Sequence, residues 1–162
     1  MKINNKDKNI VLIGFMGSGK TSVGKRLSLV LKREFIDTDD FIEKREGMTI
    51  NEIFKEKGEE EFRKIERELY KRFSTPKKKI IATGGGVIKN SANIANLKKG
   101  GVIVYLKSSP EKIAQNLKFD NTRPILQVDD KEAKIRELLA QREAFYNKYA
   151  EITIDVSNYD ID

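Results

Sequence analysis

The sequence contains no histidine and no cysteine among its 162 residues. The absence of histidine excludes acid–base catalysis by an imidazole and metal ligation by histidine. The absence of cysteine is compatible with a reducing cytoplasm. No apolar run approaches the roughly 20 residues that a membrane-spanning helix needs, and the N-terminal segment MKINNKDKN lacks the apolar centre of a signal peptide. We therefore expect a cytoplasmic protein that does not enter a membrane.

The composition is that of a folded domain with a basic surface. With 38% hydrophobic and 35% charged residues, the chain is expected to fold as one domain over residues 1–162. Its formal net charge of +7 favours anionic partners, either nucleic acid or phosphorylated small molecules. Basic residues alternate with glutamates in segments such as KEKGEEEFRKIERELYKR, which is typical of a solvated helix face. We therefore expect a small anionic ligand and no nucleic acid.

Short apolar runs alternate with helical segments along the whole chain. The predicted strands are NIVLI (9–13), EFIDTDD (34–40), IIAT (80–83), GVIVYLK (101–107) and EITIDV (151–156). The segment after the second strand is predicted to form helices interrupted at Gly47 and Gly58, with Thr49 and Glu52 as a capping box. Strands that alternate with helices indicate a parallel sheet covered on both faces. The prediction is an α/β fold, a three-layer α/β/α sandwich with a five-stranded parallel sheet.

The first glycine-rich segment, GFMGSGKT at residues 14–21, has the P-loop pattern G-x-x-x-x-G-K-[ST] between a predicted strand and a predicted helix. Its glycines allow backbone N–H groups to point at phosphate oxygens, and the start of the helix adds a favourable field. Lys20 can reach the β- and γ-phosphates, and the Thr21 hydroxyl is a natural magnesium ligand. The predicted nucleotide-binding residues are Gly17, Ser18, Gly19, Lys20, Thr21 and Ser22. The pattern is shared by switches, motors, translocases and small-molecule kinases, but the chain is too short for a large translocase.

Two carboxylates stand where a P-loop protein needs acids. The strand before the second glycine run ends in Thr83 and has no acid, whereas the EFIDTD segment ends in Asp37 and Asp39. Alternate residues of a strand share a face, so the two side chains are expected to point the same way. One can lie near a magnesium ion while the other accepts a proton from an attacking hydroxyl. Asp40, the next residue, is expected to cap the following helix.

The second glycine run, Gly84-Gly85-Gly86, follows the third predicted strand. A strand end without side chains forms a floor on which a ligand can lie against the backbone N–H groups. This floor would be next to the P-loop at the carboxyl edge of the sheet, where such folds bind ligands. A tight turn is the alternative, but three successive glycines are costly in conformational entropy. The run therefore favours a binding role.

Taken in order, the segments GFMGSGKT, FIDTD, EFRKIE, GGG, RPIL and QREAFY resemble the shikimate kinase family over nearly the whole chain. The resemblance implies phosphorylation of the 3-hydroxyl of shikimate by ATP with Mg²⁺, giving shikimate 3-phosphate and ADP on the route to chorismate and the aromatic amino acids. It also implies a P-loop NTPase fold of the nucleoside-monophosphate-kinase type with strand order 2-3-1-4-5. We expect a monomer whose partners are shikimate and ATP.

The resemblance also implies a role for individual residues. Lys20 would contact the phosphates, Thr21 would bind magnesium directly, and Asp37 would bind it through water. The residues that would contact shikimate are Asp39, Arg63, Gly85 and Arg142, with Ile50, Phe54 and Phe62 as an apolar wall. Residues 40–70 would form the acceptor-binding region, and residues 118–128 a lid that brings Arg123 to the transferred phosphate. The catalytic residues would then be Lys20, Asp39 and Arg123.

Other P-loop proteins remain as alternatives. A gluconate kinase usually has a histidine-rich acceptor region, which this chain lacks, and a nucleoside monophosphate kinase would need more arginines for its acceptor. An alternative of a different class is a regulatory or nucleic-acid-binding ATPase, suggested by the +7 charge. Arg63 and Arg67 could also be plain surface cations, because glutamates lie one helical turn away from both; we assign Arg67 to the surface.

Two features depart from the family. About seven positions before the lid arginine, the family often has a basic residue for the adenine, whereas this chain has Asn116. The family also typically continues into a helix after the last strand, whereas this sequence ends at Asp162.

Because of Asn116, we predict a usable ATP site that discriminates weakly between nucleotide bases. Turnover rates measured with ATP and with GTP at saturating acceptor should be comparable. A strict preference for ATP would contradict this prediction.

Overall fold

The computed structural model describes residues 5–118 and 129–158. Its strands are β1 (Asn9–Ile13), β2 (Phe35–Asp37), β3 (Ile80–Ala82), β4 (Gly101–Lys107) and β5 (Ile152–Asp155). Its α-helices are α1 (Lys20–Leu31), α2 (Thr38–Glu46), α3 (Ile50–Lys57), α4 (Glu59–Arg72), α5 (Ser91–Gly100), α6 (Pro110–Asn116) and α7 (Lys131–Tyr149). Short 3₁₀ turns cover Asn5–Asp7 and Val87–Lys89.

All five strands are parallel and lie in the order β2-β3-β1-β4-β5. The predicted sheet and strand order are therefore confirmed. Leu12 of β1 pairs with Ala82 of β3 on one side and with Val104 of β4 on the other. Because the strands are parallel, the segments that follow β1, β2 and β3 all leave the same edge of the sheet. These are the P-loop, the acidic segment and the triple glycine.

The two faces of the sheet are covered by different helices, as the three-layer prediction requires. Leu12 belongs to an apolar cluster with Val23 and Leu27 of α1. Its neighbours Val11 and Ile13 point the other way, into a larger cluster that contains buried side chains of α4, α5, α6 and α7. The alternation along one strand thus divides the interior into two layers of side chains. Along the described residues, no helix has the length and apolarity needed to cross a bilayer.

Asn9 fixes the path of the chain from α4 into β3. Its buried side chain donates from Nδ2 to the carbonyl of Thr75, 3.2 Å away, and Oδ1 accepts from the N–H groups of Lys77 and Lys79 at 3.0 and 2.9 Å. These bonds replace the ladder contacts that the irregular segment lacks. Since β3 ends just before the triple glycine, Asn9 also helps to place that glycine run.

The acceptor-side helices end where the glycines predict. Gly47 ends α2 with φ of 69°, and Gly58 separates α3 from α4 with φ of 87°, conformations that favour glycine. The Thr49 hydroxyl caps α3 by accepting from the N–H of Glu52 at 3.1 Å. The helix boundaries in this region were therefore predicted correctly.

The acidic segment differs from the prediction. β2 ends at Asp37, so Asp39 lies in the first turn of α2 and not in a strand. The cap is Asp37, whose Oδ1 accepts from the N–H of Asp40 at 3.1 Å. The expectation that Asp40 caps this helix is wrong, and its carboxylate pairs instead with Lys44 at 3.0 Å. A capping carboxylate at position 37 stabilises the helical turn and stops the strand there.

Candidate active site

The P-loop joins β1 to α1 through backbone conformations that require glycine. Gly17 and Gly19 have φ of 79° and 95°, in the left-handed region. Gly19 occupies the cap position of α1, and within the described residues no side chain caps this helix. The N–H groups at the start of α1 therefore face a concave loop that suits an anion. The Lys20 ammonium donates within the same loop to the carbonyls of Gly14 and Phe15, at 2.5 and 3.1 Å.

Thr21 and Asp37 meet beside this loop. The Thr21 hydroxyl donates to Asp37 Oδ2 at 2.8 Å, while Oδ1 of the same carboxylate caps α2. One aspartate thus connects the start of α1 to the start of α2 and holds two hard oxygen atoms close together. Oxygen atoms of this kind are the ligands that Mg²⁺ takes in proteins.

A cavity of about 250 Å³ opens over the P-loop. Its lining residues are Met16, Gly17, Gly19, Lys20, Thr21, Ser22, Asp37, Asp39, Thr83, Gly84, Gly85 and Asn116. Ser18, predicted with the nucleotide-binding residues, does not line this cavity. Its side chain is buried and its N–H donates to the Phe15 carbonyl at 3.1 Å.

A second cavity of about 430 Å³ adjoins the first. Its lining residues are Met16, Asp39, Ile50, Phe54, Glu59, Phe62, Arg63, Glu66, Gly84, Gly85, Gly86, Lys89 and Arg142. One wall is apolar, since the rings of Phe54 and Phe62 are in edge-to-face contact with centroids 4.9 Å apart. Three basic side chains, Arg63, Lys89 and Arg142, make another part of the lining cationic. Asp39, Met16, Gly84 and Gly85 line both cavities.

The triple glycine makes room for the polar side chains of the site. A Cβ on Gly84 would lie 2.7 Å from Asp39 Oδ1, and one on Gly86 would lie 2.7 Å from Arg63 Nη1. A Cβ on Gly85 would lie 3.7 Å from Arg142 Nη1, an ordinary contact distance. None of the three glycines has a positive φ, so at Gly84 and Gly86 space and not backbone conformation excludes larger residues. Each glycine therefore faces one of three side chains that were predicted to contact the acceptor.

A buried hydrogen-bond chain fixes this floor to two helices. The N–H of Gly84 donates to Thr38 Oγ1 at 3.1 Å, and the Thr38 hydroxyl lies 3.3 Å from the hydroxyl of Tyr70. Burial raises the pKa of Tyr70 well above its usual value, so the phenol stays protonated and able to donate. The chain connects the start of α2, the glycine run and α4.

Arg63 is held by an acid that the sequence analysis did not assign. Its Nη1 donates to Glu66 Oε1 at 3.0 Å, and its Nη2 lies 3.5 Å from Glu59 Oε1. Glu66 is only 2% exposed, and burial raises the pKa of its carboxyl while the Arg63 guanidinium opposes the rise. Arg67, by contrast, is exposed. The helical i, i+3 spacing in EFRKIE is the sequence feature that could have indicated the Arg63–Glu66 pair.

Arg142 reaches the site from α7. Its guanidinium lies over the ring of Phe15, 5.5 Å from the centroid. Tyr146, one turn further along, is fully buried against Tyr105 with ring centroids 4.9 Å apart. Burial raises the pKa of Tyr146 to about 12, and Arg142 opposes part of that rise. Arg142 thus lies beside buried aromatic side chains.

Lys89 is a second residue that the sequence analysis missed. It ends the 3₁₀ turn just after the triple glycine and lines the larger cavity. Burial lowers the pKa of Lys89, and the positive charges of Arg63 and Arg142 lower it further. The mutual repulsion indicates that the three cations share one electrostatic environment, which an anion would relieve. A lysine three residues after a glycine run is too common to have been noticed from the sequence.

The family model for shikimate kinase matches residues 16–161. This chain belongs to the shikimate kinase family. The shikimate kinase of Caldanaerobacter subterraneus subsp. tengcongensis is 52% identical over 155 residues, which cover 96% of this chain and 90% of that protein. The chain is similar in structure to the shikimate kinase from Acinetobacter baumannii in complex with shikimate, with a TM-score of 0.89 and 40% identity over 97% of this chain and 87% of that one.

A gluconokinase from Sinorhizobium meliloti 1021 has the same fold. Its TM-score is 0.52 at 15% identity, over 98% of this chain and 87% of that chain, which shows a common fold alone. The fold is therefore P-loop kinase-like.

The structure brings most of the predicted site residues of this family member together. Lys20, Thr21 and Asp37 line the smaller cavity, Arg63 and Arg142 line the larger one, and Asp39 lines both. The apolar residues Ile50, Phe54 and Phe62 and the glycine Gly85 also line the larger cavity. Arg123 and the lid around it, apart from Lys118, lie outside the described residues.

The raised pKa of Glu66 predicts a pH dependence of stability. The folded protein binds the proton of the Glu66 carboxyl more tightly than the unfolded chain does. The contribution of this proton to the free energy of unfolding is therefore complete below the ordinary pKa of 4.5 and is lost as pH rises through the raised pKa. We expect the free energy of unfolding of the wild type, minus that of Glu66→Gln, to fall as pH rises from about 4 to about 7. Urea denaturation at several pH values measures this difference.

The matched control for this measurement is Glu68→Gln, since Glu68 is exposed on the same helix. A Glu66→Gln difference that stays constant with pH, or that grows in favour of the wild type as pH rises, would contradict the assignment.

Proposed function

We propose that this member of the shikimate kinase family transfers the γ-phosphoryl group of ATP to the 3-hydroxyl of shikimate, giving shikimate 3-phosphate and ADP. The observation that carries the proposal is the position of Asp39, which lines both the P-loop cavity and the cation-lined cavity next to it. Phosphoryl transfer depends mainly on alignment of two reactants and on neutralisation of the charge between them. Two adjoining cavities with one carboxylate at their junction fit that requirement.

The smaller cavity is proposed to bind the phosphates of ATP. The left-handed glycines and the uncapped start of α1 supply N–H groups for phosphate oxygens. Lys20, hydrogen-bonded to the carbonyls of Gly14 and Phe15, is held at the loop as a positive charge for the β- and γ-phosphates. Ser22 lies next to Thr21 on the same helix and also lines this cavity.

The residues beside the P-loop fit a magnesium ion. Thr21 and Asp37 offer two oxygen atoms, and the described residues contain no cluster of three or more side chains of the kinds His, Cys, Asp and Glu that could hold a metal by themselves. This is the small donor set expected for Mg²⁺, which usually keeps water molecules and takes phosphate oxygens. We propose that Thr21 holds the ion directly and Asp37 through water. When bound, it would neutralise phosphate charge.

The larger cavity fits an acceptor with one carboxylate and several hydroxyls on a small ring. Guanidinium groups pair with carboxylates through two parallel hydrogen bonds, so Arg63 and Arg142 are proposed to bind the acid group. Lys89 adds a third positive charge to the same lining. Ile50, Phe54 and Phe62 would contact the ring, and the Gly85 backbone would contact the hydroxyls.

Asp39 is proposed to orient the 3-hydroxyl and to accept its proton as the hydroxyl attacks the γ-phosphorus. Lys20 would neutralise the charge that spreads over the phosphate oxygens. The resemblance assigns the same task to Arg123 of the lid, and that assignment stays a prediction.

We further propose one kinase domain over residues 1–162, with residues 40–70 as the acceptor-binding region and residues 118–128 as the lid. We propose that it acts as a monomer in the cytoplasm.

The decisive experiment is a coupled ADP-release assay with a panel of acceptors. Shikimate should support turnover, whereas gluconate and nucleoside monophosphates should not. Omission of Mg²⁺ should remove activity and its return should restore it. Turnover of another acceptor without turnover of shikimate would refute the proposal. Salt-sensitive binding of DNA or RNA with no turnover of any acceptor would favour the nucleic-acid-binding alternative.

The proposed role of Asp39 predicts that its replacement lowers turnover but leaves nucleotide binding intact. In Asp39→Asn the amide cannot accept a proton as the carboxylate does, so kcat should fall by at least about 100-fold. ADP should still bind with nearly unchanged affinity, as calorimetry can measure. Asp40→Asn, which removes a surface carboxylate from the same turn, is the matched control and should keep normal turnover. A near-normal rate in Asp39→Asn would remove this residue from the mechanism.

Lys20→Ala should also abolish turnover, and near-normal turnover in that variant would remove Lys20 from the mechanism.

The proposed role of Arg142 predicts that its removal changes the KM for one substrate only. Charge-assisted hydrogen bonds contribute about 1.5–3 kcal/mol, so Arg142→Ala should raise the KM for shikimate roughly 10- to 100-fold. The KM for ATP should change much less, because Arg142 does not line the smaller cavity. Arg67→Ala, an exposed arginine of α4, is the control and should leave both constants unchanged. Equal increases in both KM values would contradict the proposed carboxylate contact.

A further inference from the structure

Asn116 contacts the P-loop from a distant part of the sequence. It is the last residue of α6, and its side-chain Nδ2 donates to the backbone carbonyl of Gly17 at 2.8 Å. It also lines the smaller cavity. The residue that takes the place of a basic residue of the family therefore has a defined contact, and that contact is to the loop itself.

With this contact, both polar groups of one peptide unit in the P-loop have a hydrogen-bond partner. The carbonyl of Gly17 and the N–H of Ser18 belong to the same planar peptide group. The carbonyl accepts from Asn116, and the N–H donates to the Phe15 carbonyl at 3.1 Å. This peptide lies between Gly17 and Gly19, the two left-handed positions of the loop. Without the Asn116 bond, the glycine-rich loop would keep only the internal bond at this point.

The end of α6 packs against the loop and the core. Leu117, which follows Asn116, is 4% exposed and belongs to the larger apolar cluster. Its side chain packs so closely on the loop that a Cβ on Gly17 would lie 2.7 Å from Leu117 Cγ. The Leu117 carbonyl in turn accepts from the Lys131 ammonium at 2.9 Å. The donor atom of Asn116 is thus attached to the core and to α7.

The charge of the smaller cavity points to the phosphate end of the ligand. Among the described residues that line it, Lys20 is the only cation. Asn116 brings no charge, and the hydrogen bond to Gly17 uses one of its two N–H donors. The contact that the structure shows for this side chain is therefore with the loop that is proposed to receive the phosphates.

We propose that Asn116 is a positioning residue that holds the P-loop in its phosphate-binding conformation and acts on nucleotide affinity independently of the base. This inference rests on the proposed function, because it takes the smaller cavity to be the nucleotide site. It adds a specific consequence: loss of the amide should weaken all nucleotides by the same factor and should leave the acceptor cavity unaffected.

The test measures the dissociation constants of ADP and GDP by calorimetry in the wild type and in Asn116→Ala. Loss of one hydrogen bond should weaken both nucleotides by a similar factor, about 3- to 10-fold. The KM for shikimate should change by less than about twofold, since Asn116 does not line the larger cavity. Gln115→Ala, which removes an exposed amide from the neighbouring position of α6, is the matched control and should bind both nucleotides normally.

A second variant guards against misfolding. Asn116→Asp keeps the size of the side chain but replaces the donor with a carboxylate that repels both the Gly17 carbonyl and phosphate, so its affinity should fall below that of Asn116→Ala. Unchanged affinities in folded variants would refute the inference, and weakening of ADP without weakening of GDP would assign Asn116 to the base instead. Failure of the wild type to bind either nucleotide would refute the proposed nucleotide site itself.

Discussion

Close contact between a bare strand end and three charged side chains determines the geometry of this site. Asp39, Arg63 and Arg142 come from three different helices and converge on Gly84, Gly85 and Gly86, which carry no side chains. A Cβ at either outer glycine would overlap a carboxylate or guanidinium atom. The hydrogen-bond chain from Gly84 through Thr38 to Tyr70 fixes the same floor from beneath. The positions of Asp39 and Arg63 therefore depend on the absence of side chains at Gly84 and Gly86.

The electrostatics of the larger cavity follow from that convergence. Burial and the positive charges of Arg63 and Arg142 lower the pKa of Lys89, whereas the buried Glu66 pairs with Arg63. The two effects are complementary, because Glu66 fixes the direction of one guanidinium while Lys89 and Arg142 place two further cations in the same lining. A buried pair of this kind is poor evidence for stability, but it is a good way to hold one conformation. A ligand carboxylate would meet cations that are already oriented, so little ordering would be left for binding.

Features that depend on local sequence were predictable, whereas contacts between residues far apart in the sequence were not. The P-loop, the breaks at Gly47 and Gly58 and the five strands follow from motif and periodicity, and the strand order came with the family resemblance. Asp39 was assigned to a strand because a segment as short as EFIDTD does not distinguish an extended chain from the first turn of a helix. In the structure that helix is capped by Asp37. The bond from Asn116 to Gly17 spans 99 residues, and the approach of Lys89 to two arginines depends on folding of the whole sheet edge. Neither has a signature in the sequence.

Two ligands are proposed to occupy adjoining cavities over one glycine floor at the same time. A calorimetric titration of shikimate into the protein alone, and into the protein saturated with ADP, tests this claim most directly. We predict one shikimate per chain in both titrations, with ADP remaining bound throughout. Displacement of ADP by shikimate, or the absence of shikimate binding in both titrations, would contradict the account.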